Sequence, residues 1–310
     1  MAITAAMVKE LRELSGAGMM DCKKALNETD GNMDEAMEFL RKNGQAKAEK
    51  KASRIAAEGI VKVAVKDNTA AIVEVNSETD FVAKNEKFQT YVGKVAEQAL
   101  VTNAADMDAF MDEAWLEDSS KTVKDVLVEQ VAVIGENLKI RRFEKAVAEN
   151  GCIVEYIHGG GRIGVVVVAE SDVVNDTVKE AMKNIAMQIA ALNPKYIDRS
   201  EVSAEYIAHE KEILLAQIQN DPKESQKPEK VINGMIEGRV NKELKEICLV
   251  DQVYVKAEDG KQTVGKYLEA ISKEVGAAVS VKKFIRFETG EGLEKKQEDF
   301  AAEVAAQMNQ

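Results

Sequence analysis

The chain has 310 residues, 45% apolar and 31% charged, and 54 acidic against 42 basic side chains give a formal charge of −12. That length allows two or three domains with cores of their own, and the acidity argues against direct nucleic-acid binding, in which basic groups displace counterions from phosphates. Three scattered cysteines and two histidines exclude a disulfide framework and a His-rich zinc site, and no apolar run reaches the length of a membrane span.

The opening residues, MAITAAMVKELREL, read as a helix and not as a signal or transit peptide. Thr4 can cap a helix carrying Met7, Val8 and Leu11, which Ser15-Gly16-Ala17-Gly18 ends. A second helix runs from Met19 to Leu26 and stops at Asp30-Gly31-Asn32. A third carries Met33, Ala36, Met37, Phe39 and Leu40 and stops at Asn43-Gly44. Residues 1–54 are thus expected to be a minimal three-helix bundle and a linker. The Ala-, Lys- and Arg-rich linker, Arg41 to Arg54, is expected to stay outside the core.

The pattern then changes. Gly59 to Lys66 alternates, Asp67-Asn68 is a turn signal, and Ala70 to Val75 is a second strand. A helix over Glu86–Val101 presents Phe88, Tyr91, Val92, Val95 and Leu100. Another carries Val123, Val126, Leu127, Val131 and Ile134 and ends at Gly135. Asn137 to Val147 is a third strand. The same order recurs: a hairpin of Cys152–Ile157 and Ile163–Val168 around Gly159-Gly160-Gly161, a helix over Val173–Leu192, a segment Thr263–Leu268 ending at Gly276, and Ile285–Glu288. Ile185-Ala-Met-Gln188 matches Val95-Ala-Glu-Gln98, and Ile140-Arg-Arg-Phe-Glu144 is set against Ile285-Arg-Phe-Glu288. The chain therefore reads as a diverged duplication of a strand-strand-helix-helix-strand unit.

An insert splits the second copy. It holds all three prolines, Pro194, Pro222 and Pro228, and two helices. One carries Ile207, Leu214 and Ile218; the other carries Ile232, Ile236, Val240, Leu244 and Ile247. This is an antiparallel helical hairpin with a narrow apolar seam, expected to project from the body. Leu293, Phe300, Val304 and Met308 mark a final amphipathic helix. The fold class is α+β, divided as 1–54, 55–149 (first core copy), 150–192 with 252–290 (second copy), 193–251 (hairpin) and 291–310 (C-terminal helix).

No catalytic constellation can be assembled, because nucleophile elbow, zinc helix, Walker loop and dinucleotide fingerprint are all missing. Gly159 to Gly161 lies between two strands, which suits a hairpin turn and not a phosphate cradle, since a cradle opens a helix. His158 beside it is either a partner contact or a turn-flanking polar residue. Residues 75–85 (VNSETDFVAKN) lie between a strand end and a helix start, where partners commonly meet a scaffold. Spacing alone makes Asp80 a helix cap and Phe81 a core anchor. Glu78, Asp80 and Glu86 could alternatively hold a divalent ion, though solvated carboxylates explain them as well.

Residues 79–85 (TDFVAKN) resemble the signature of the elongation factor Ts family. Leu14 to Leu26 resembles its N-terminal signature, and residues 134–137 (IGEN), His158, Gly164 and residues 285–292 (IRFETGEG) follow its pattern in the same order. The likeness covers essentially the whole chain. It implies a non-enzymatic guanine nucleotide exchange factor acting in cytoplasmic protein synthesis, with elongation factor Tu as partner and no cofactor or metal of its own. It also implies that Thr79, Asp80, Phe81 and Val82 enter the partner near its Mg²⁺ site. Met19, Met20 and Lys23 would contact the nucleotide domain; Ile134, Gly135 and His158 would engage another part. The bundle resembles ubiquitin-associated (UBA-like) domains, so a protein-binding scaffold is the rival reading, and residues 200–247 could mediate a homodimer.

Overall fold

The computed structural model describes residues 3–294, so the tail helix expected over 291–310 lies almost wholly outside the described residues. Ala5–Ser15 forms α1, Met19–Glu28 forms α2 and Met33–Lys51 forms α3. Thr4 accepts the Met7 amide, Gly16 closes α1 in the left-handed region, and Asn32 caps α3 through the Asp34 and Glu35 amides. Val8, Leu11, Cys22, Ala25, Leu26 and Ala36 form the bundle's core.

Glu58–Lys66 (β1) and Thr69–Ser77 (β2) pair antiparallel across the Asp67-Asn68 turn. Asp80–Ala83 (α4), Glu86–Val101 (α5), Met107–Asp112 (α6) and Val123–Ile134 (α7) follow, and Lys139–Val147 (β3) completes a sheet ordered β1-β2-β3. The second copy runs Cys152–His158 (β4), Ile163–Glu170 (β5), Asp176–Leu192 (α8), Ala204–Asn220 (α9), Glu229–Ile247 (α10), Val264–Val275 (α11) and Ser280–Glu288 (β6), with sheet order β4-β5-β6.

The alternation along the strands sets the layers. In the first sheet Ala71, Val73 and Val75 face α5 and α7, with Phe88, Val92, Val95 and Val131. In the second, Val165, Val167 and Ala169 face α8 and α11, with Met182, Ile185, Ile189 and Leu268. The other faces meet: Val61, Val63, Ala70 and Ile72 pack against Val166, Val168, Ile285 and Phe287. The body is therefore helices, sheet, sheet, helices, and β2 is buried along almost its whole length because it is central in its sheet and covered on both sides. Gly164 marks the tightest crossing, where a Cβ would stand 2.4 Å from Val61 Cγ1.

The third helix does not stop at Asn43-Gly44. Gly44 is buried in mid-helix, and a Cβ there would lie 3.5 Å from Ala132 Cβ of α7. The glycine marks a close helix crossing, not an end, and Ala48 packs on the first-copy core. Small residues that read as linker are the contact strip of a helix laid on another.

The duplication reaches into the loops. Gly59 and Gly151 both have φ near +120° (124° and 121°), and a Cβ on either would meet the Val75 or Ala169 carbonyl at 2.2 Å. Gln98 accepts the Leu116 amide and donates to the Ala114 carbonyl; Gln188 accepts the Val255 amide and donates to the Val253 carbonyl. Ala114 bridges Thr122 and Val253 bridges Thr263, and both threonines cap the next helix. One strand match needs correction. Val73 pairs with Phe143 and Val167 with Phe284, so Phe143 corresponds to Phe284 and Ile140 to Val281. Matching Ile140 to Ile285 is off by four residues, because β3 carries two arginines and β6 two phenylalanines, so an Arg-Phe pair can be set in more than one register.

The insert forms α9 and α10 as expected, joined by residues 221–228. Ile218, Ile236, Val240 and Leu244 form the seam between them. At its root the incoming and outgoing segments are joined by the Tyr196–Cys248 bridge. No helix among the described residues is long and apolar enough to cross a membrane.

Candidate functional site

Between β2 and α5 the chain makes one extra helical turn, α4. Thr79, in extended backbone, caps it: its hydroxyl accepts the Val82 amide at 3.3 Å. Asn85 caps α5 through the Lys87 and Phe88 amides. Within α4, Val82 and Ala83 pack on the first-copy core, whereas Phe81 is 82% exposed. Asp80 lies in the first turn and pairs with Lys84 at 2.6 Å; the hydrogen bond from Lys84 holds its carboxyl below the usual range. The expectation from spacing is thus overturned: Thr79 is the cap, and Phe81 anchors no core. Phe81 is the most exposed of the large apolar side chains among the described residues.

The turn is braced from a distance. Glu136 takes the Glu78 amide at 3.0 Å, the Thr79 amide at 3.1 Å and the Thr79 hydroxyl at 2.7 Å. Glu78 reciprocates by accepting the Asn137 amide at 2.6 Å, and Asn137 donates to the Arg54 carbonyl at 2.8 Å. Ile134 is partly buried against the core, and Gly135, the left-handed cap of α7, gives its carbonyl to Lys51. Residues 134–137 therefore join the end of α3 to the turn carrying Phe81. This geometry undoes the divalent-ion reading of Glu78, Asp80 and Glu86. Glu78 is occupied by Asn137 and faces Arg54 at 3.5 Å, Asp80 by Lys84, and the described residues hold no metal-capable group of three.

The second copy's hairpin loop comes to the same place. Gly161 gives its carbonyl to the Val61 amide at 2.7 Å and to the Thr289 hydroxyl at 3.1 Å, which fixes the loop on β1. A cleft of about 350 Å³ lies between Asp80 and Lys84 on one side and Gly159, Gly160 and Arg162 on the other. His158 is exposed at the end of β4, its Nδ1 3.0 Å from the Tyr156 hydroxyl. Arg162 and Glu136 were given no role from the sequence. Arg162 carries no signal beyond its place after the glycines, and the partners of Glu136 lie 57 and 58 residues away.

On the bundle, Met19 and Met20 are 58% and 74% exposed, and Lys23 is exposed beside them. Neither methionine belongs to the bundle's core, so the small-core reading holds for neither. Unbranched, polarisable side chains in water suit an adaptable contact surface. This patch belongs to a separate element from the turn around Phe81.

Behind the turn lies a buried charge. Glu74 on β2, fully buried, accepts from Asn76, Arg141, Arg142 and the Gly290 amide. Burial opposes its ionisation, but the Gly290 amide, Asn76 and the two guanidinium groups outweigh that, and its carboxyl titrates below the usual range. Arg142 also stacks over Phe287 at 4.1 Å. The network fastens the first copy to the segment after β6.

Comparison with known proteins agrees with these motifs. Residues 78–291 match the family model described as elongation factor TS. A protein named elongation factor Ts from Clostridium novyi (strain NT) is 50% identical over 310 residues, covering 99% of each chain. Its namesake in Clostridium tetani (strain Massachusetts / E88) is 50% identical over 308 residues, again with 99% of each chain covered. That of Trichlorobacter lovleyi is 49% identical over 312 residues, covering 99% of this chain and 98% of its own.

Proposed function

The chain belongs to the elongation factor Ts family and is a translation elongation factor, and from that premise we propose that it binds elongation factor Tu carrying GDP and promotes release of the nucleotide. The observation that carries the reading is Phe81, an aromatic ring 82% exposed on a turn whose backbone is held on every side.

Exchange needs no covalent chemistry. The factor must bind the nucleotide-free GTPase better than the GDP form, and by linkage each ligand then weakens the other by the same ratio. Each tenfold weakening requires about 1.4 kcal/mol of differential binding. Mg²⁺ in a GTPase demands near-ideal octahedral geometry, so a small displacement of its surroundings costs much of the nucleotide's affinity. Burial of Phe81 in the partner supplies roughly 1.5–3 kcal/mol toward that displacement. Asp80, with Thr79 and Val82 around it, orients the ring and perturbs the polar groups near the ion.

Met19, Met20 and Lys23 act as a second contact through a UBA-like module over residues 1–54. Ile134, Gly135 and His158 act from the two core copies, 55–149 and 150–192 with 252–290. The arm, 193–251, is a short coiled coil available to the GTPase or to a second copy of the chain, and the setting is the cytoplasm. The test is capture of the nucleotide-free GTPase by the immobilised protein, repeated with excess GDP. Strong capture abolished by GDP is the expected result; capture indifferent to GDP would mark a scaffold.

A further inference from the structure

We propose that Glu136 is the positioning residue of the exposed aromatic turn, acting through Phe81 and not by touching the partner; this rests on the role proposed for Phe81. A four-residue helix has no stability of its own, because nucleation costs more than one turn returns. Something must hold α4, and only Val82 and Ala83 of its residues pack on the core. Gln89 donates to the Ala83 carbonyl at its end, and Glu136 holds its start. Both of its carboxylate oxygens are spent on the two residues immediately before the helix: Oε2 on the Glu78 and Thr79 amides, Oε1 on the Thr79 hydroxyl.

The arrangement also fixes polarity. The Thr79 hydroxyl has one proton, and it points at Glu136, so its lone pairs are free for the Val82 amide. Ser77 donates to the Thr79 carbonyl at 3.0 Å, and Glu78 closes the reciprocal bond to Asn137. A charged acceptor makes these bonds stronger than neutral ones. The left-handed turn at Gly135, φ 89°, brings Glu136 from the end of α7 to this position. With the clamp removed, the ring is free to fold back onto neighbouring apolar surface. Part of the binding free energy would then be spent on ordering it again.

The test uses the full-length protein and two readouts. Amide hydrogen exchange in the free protein should quicken by about tenfold or more at Glu78, Thr79 and Val82 in Glu136→Ala, with Val92 and Val95 of α5 unchanged. GDP release from the GTPase should fall by about tenfold in Glu136→Ala, yet by less than about twofold when the change is added to Phe81→Ala. Glu136→Gln keeps the shape and can donate to the Thr79 hydroxyl, so it should stay within about threefold of wild type. Unchanged amide rates overturn the clamp by themselves. Equal losses in both backgrounds, or a Gln variant as weak as the Ala variant, overturn positioning in favour of general support or a direct contact. Wild-type release by Phe81→Ala alone removes the wedge, and the positioning role with it.

Discussion

The two core copies share a scaffold and part company at its rims. Equivalent positions are 94 residues apart in β2 and β5 (Val75 and Ala169) but 90 apart in α5 and α8 (Gln98 and Gln188). The first copy thus holds four more residues at the strand-to-helix junction, the length of α4. There the second copy passes through Ser171 to Asn175 without a helical turn. In exchange it has a four-residue glycine loop where the first has Asp67-Asn68, and the long arm. The buried glutamines, strand glycines and threonine caps agree between copies. The exposed aromatic turn and the glycine loop do not, and these two unlike elements share one cleft. The two copies share the frame, and the proposed recognition elements of the core lie where the copies differ.

The comparison breaks most visibly at Glu74, whose equivalent in the second sheet is Val168. Replacing Glu74 by Ala removes the buried acceptor of the Gly290 amide and of two part-exposed arginines that keep their contacts to Glu288 and Glu291, at about 3 kcal/mol, read by urea denaturation. Because the carboxyl titrates lower in the folded protein, its contribution is complete above the unfolded value of about 4.3 and disappears as pH falls through the lower folded value. Wild type should therefore lose stability more steeply than Glu74→Gln as pH falls below about 4.3. A parallel loss in both would remove Glu74 from the account.

The glutamines test equivalence itself. Gln98→Ala and Gln188→Ala each leave a part-buried loop amide without its side-chain acceptor, at about 1 kcal/mol apiece, and the two values should agree within about 1 kcal/mol. Thr122→Ala and Thr263→Ala should each cost about 1 kcal/mol. The first should cost slightly more, since only Thr122 has a capping box, with Asp125. The smallest effect belongs to Phe81: its replacement by Ala should shift stability by no more than about 0.5 kcal/mol, because the ring packs on nothing that folding buries.

Much of this frame was legible, because periodicity and caps are local. Thr4, Gly135 and Gly276 announced helix ends, and alternation from Gly59 to Val75 announced the first hairpin. What was not legible depends on distant partners. Gly44 read as a stop because Ala132, which it touches, lies 88 residues on. Phe81 read as core because composition cannot say which face of a single turn meets water. Glu136 stood within the IGEN stretch without a role of its own, since its partners are set by how α7 ends over the first sheet. The motif drew attention to residues 79–85; the direction in which Phe81 points came only from the packing of Val82 and Ala83 beneath it.

The central claim is that an exposed ring, added to one of two like copies, drives nucleotide release. The direct measurement is the rate at which a fluorescent GDP leaves the GTPase with wild-type protein and with Phe81→Ala at equal, limiting concentration. Loss of roughly 1.5–3 kcal/mol of binding in the transition to the open state predicts a rate lower by about tenfold to a hundredfold, with the fold intact. Equal rates from two equally stable proteins would contradict it.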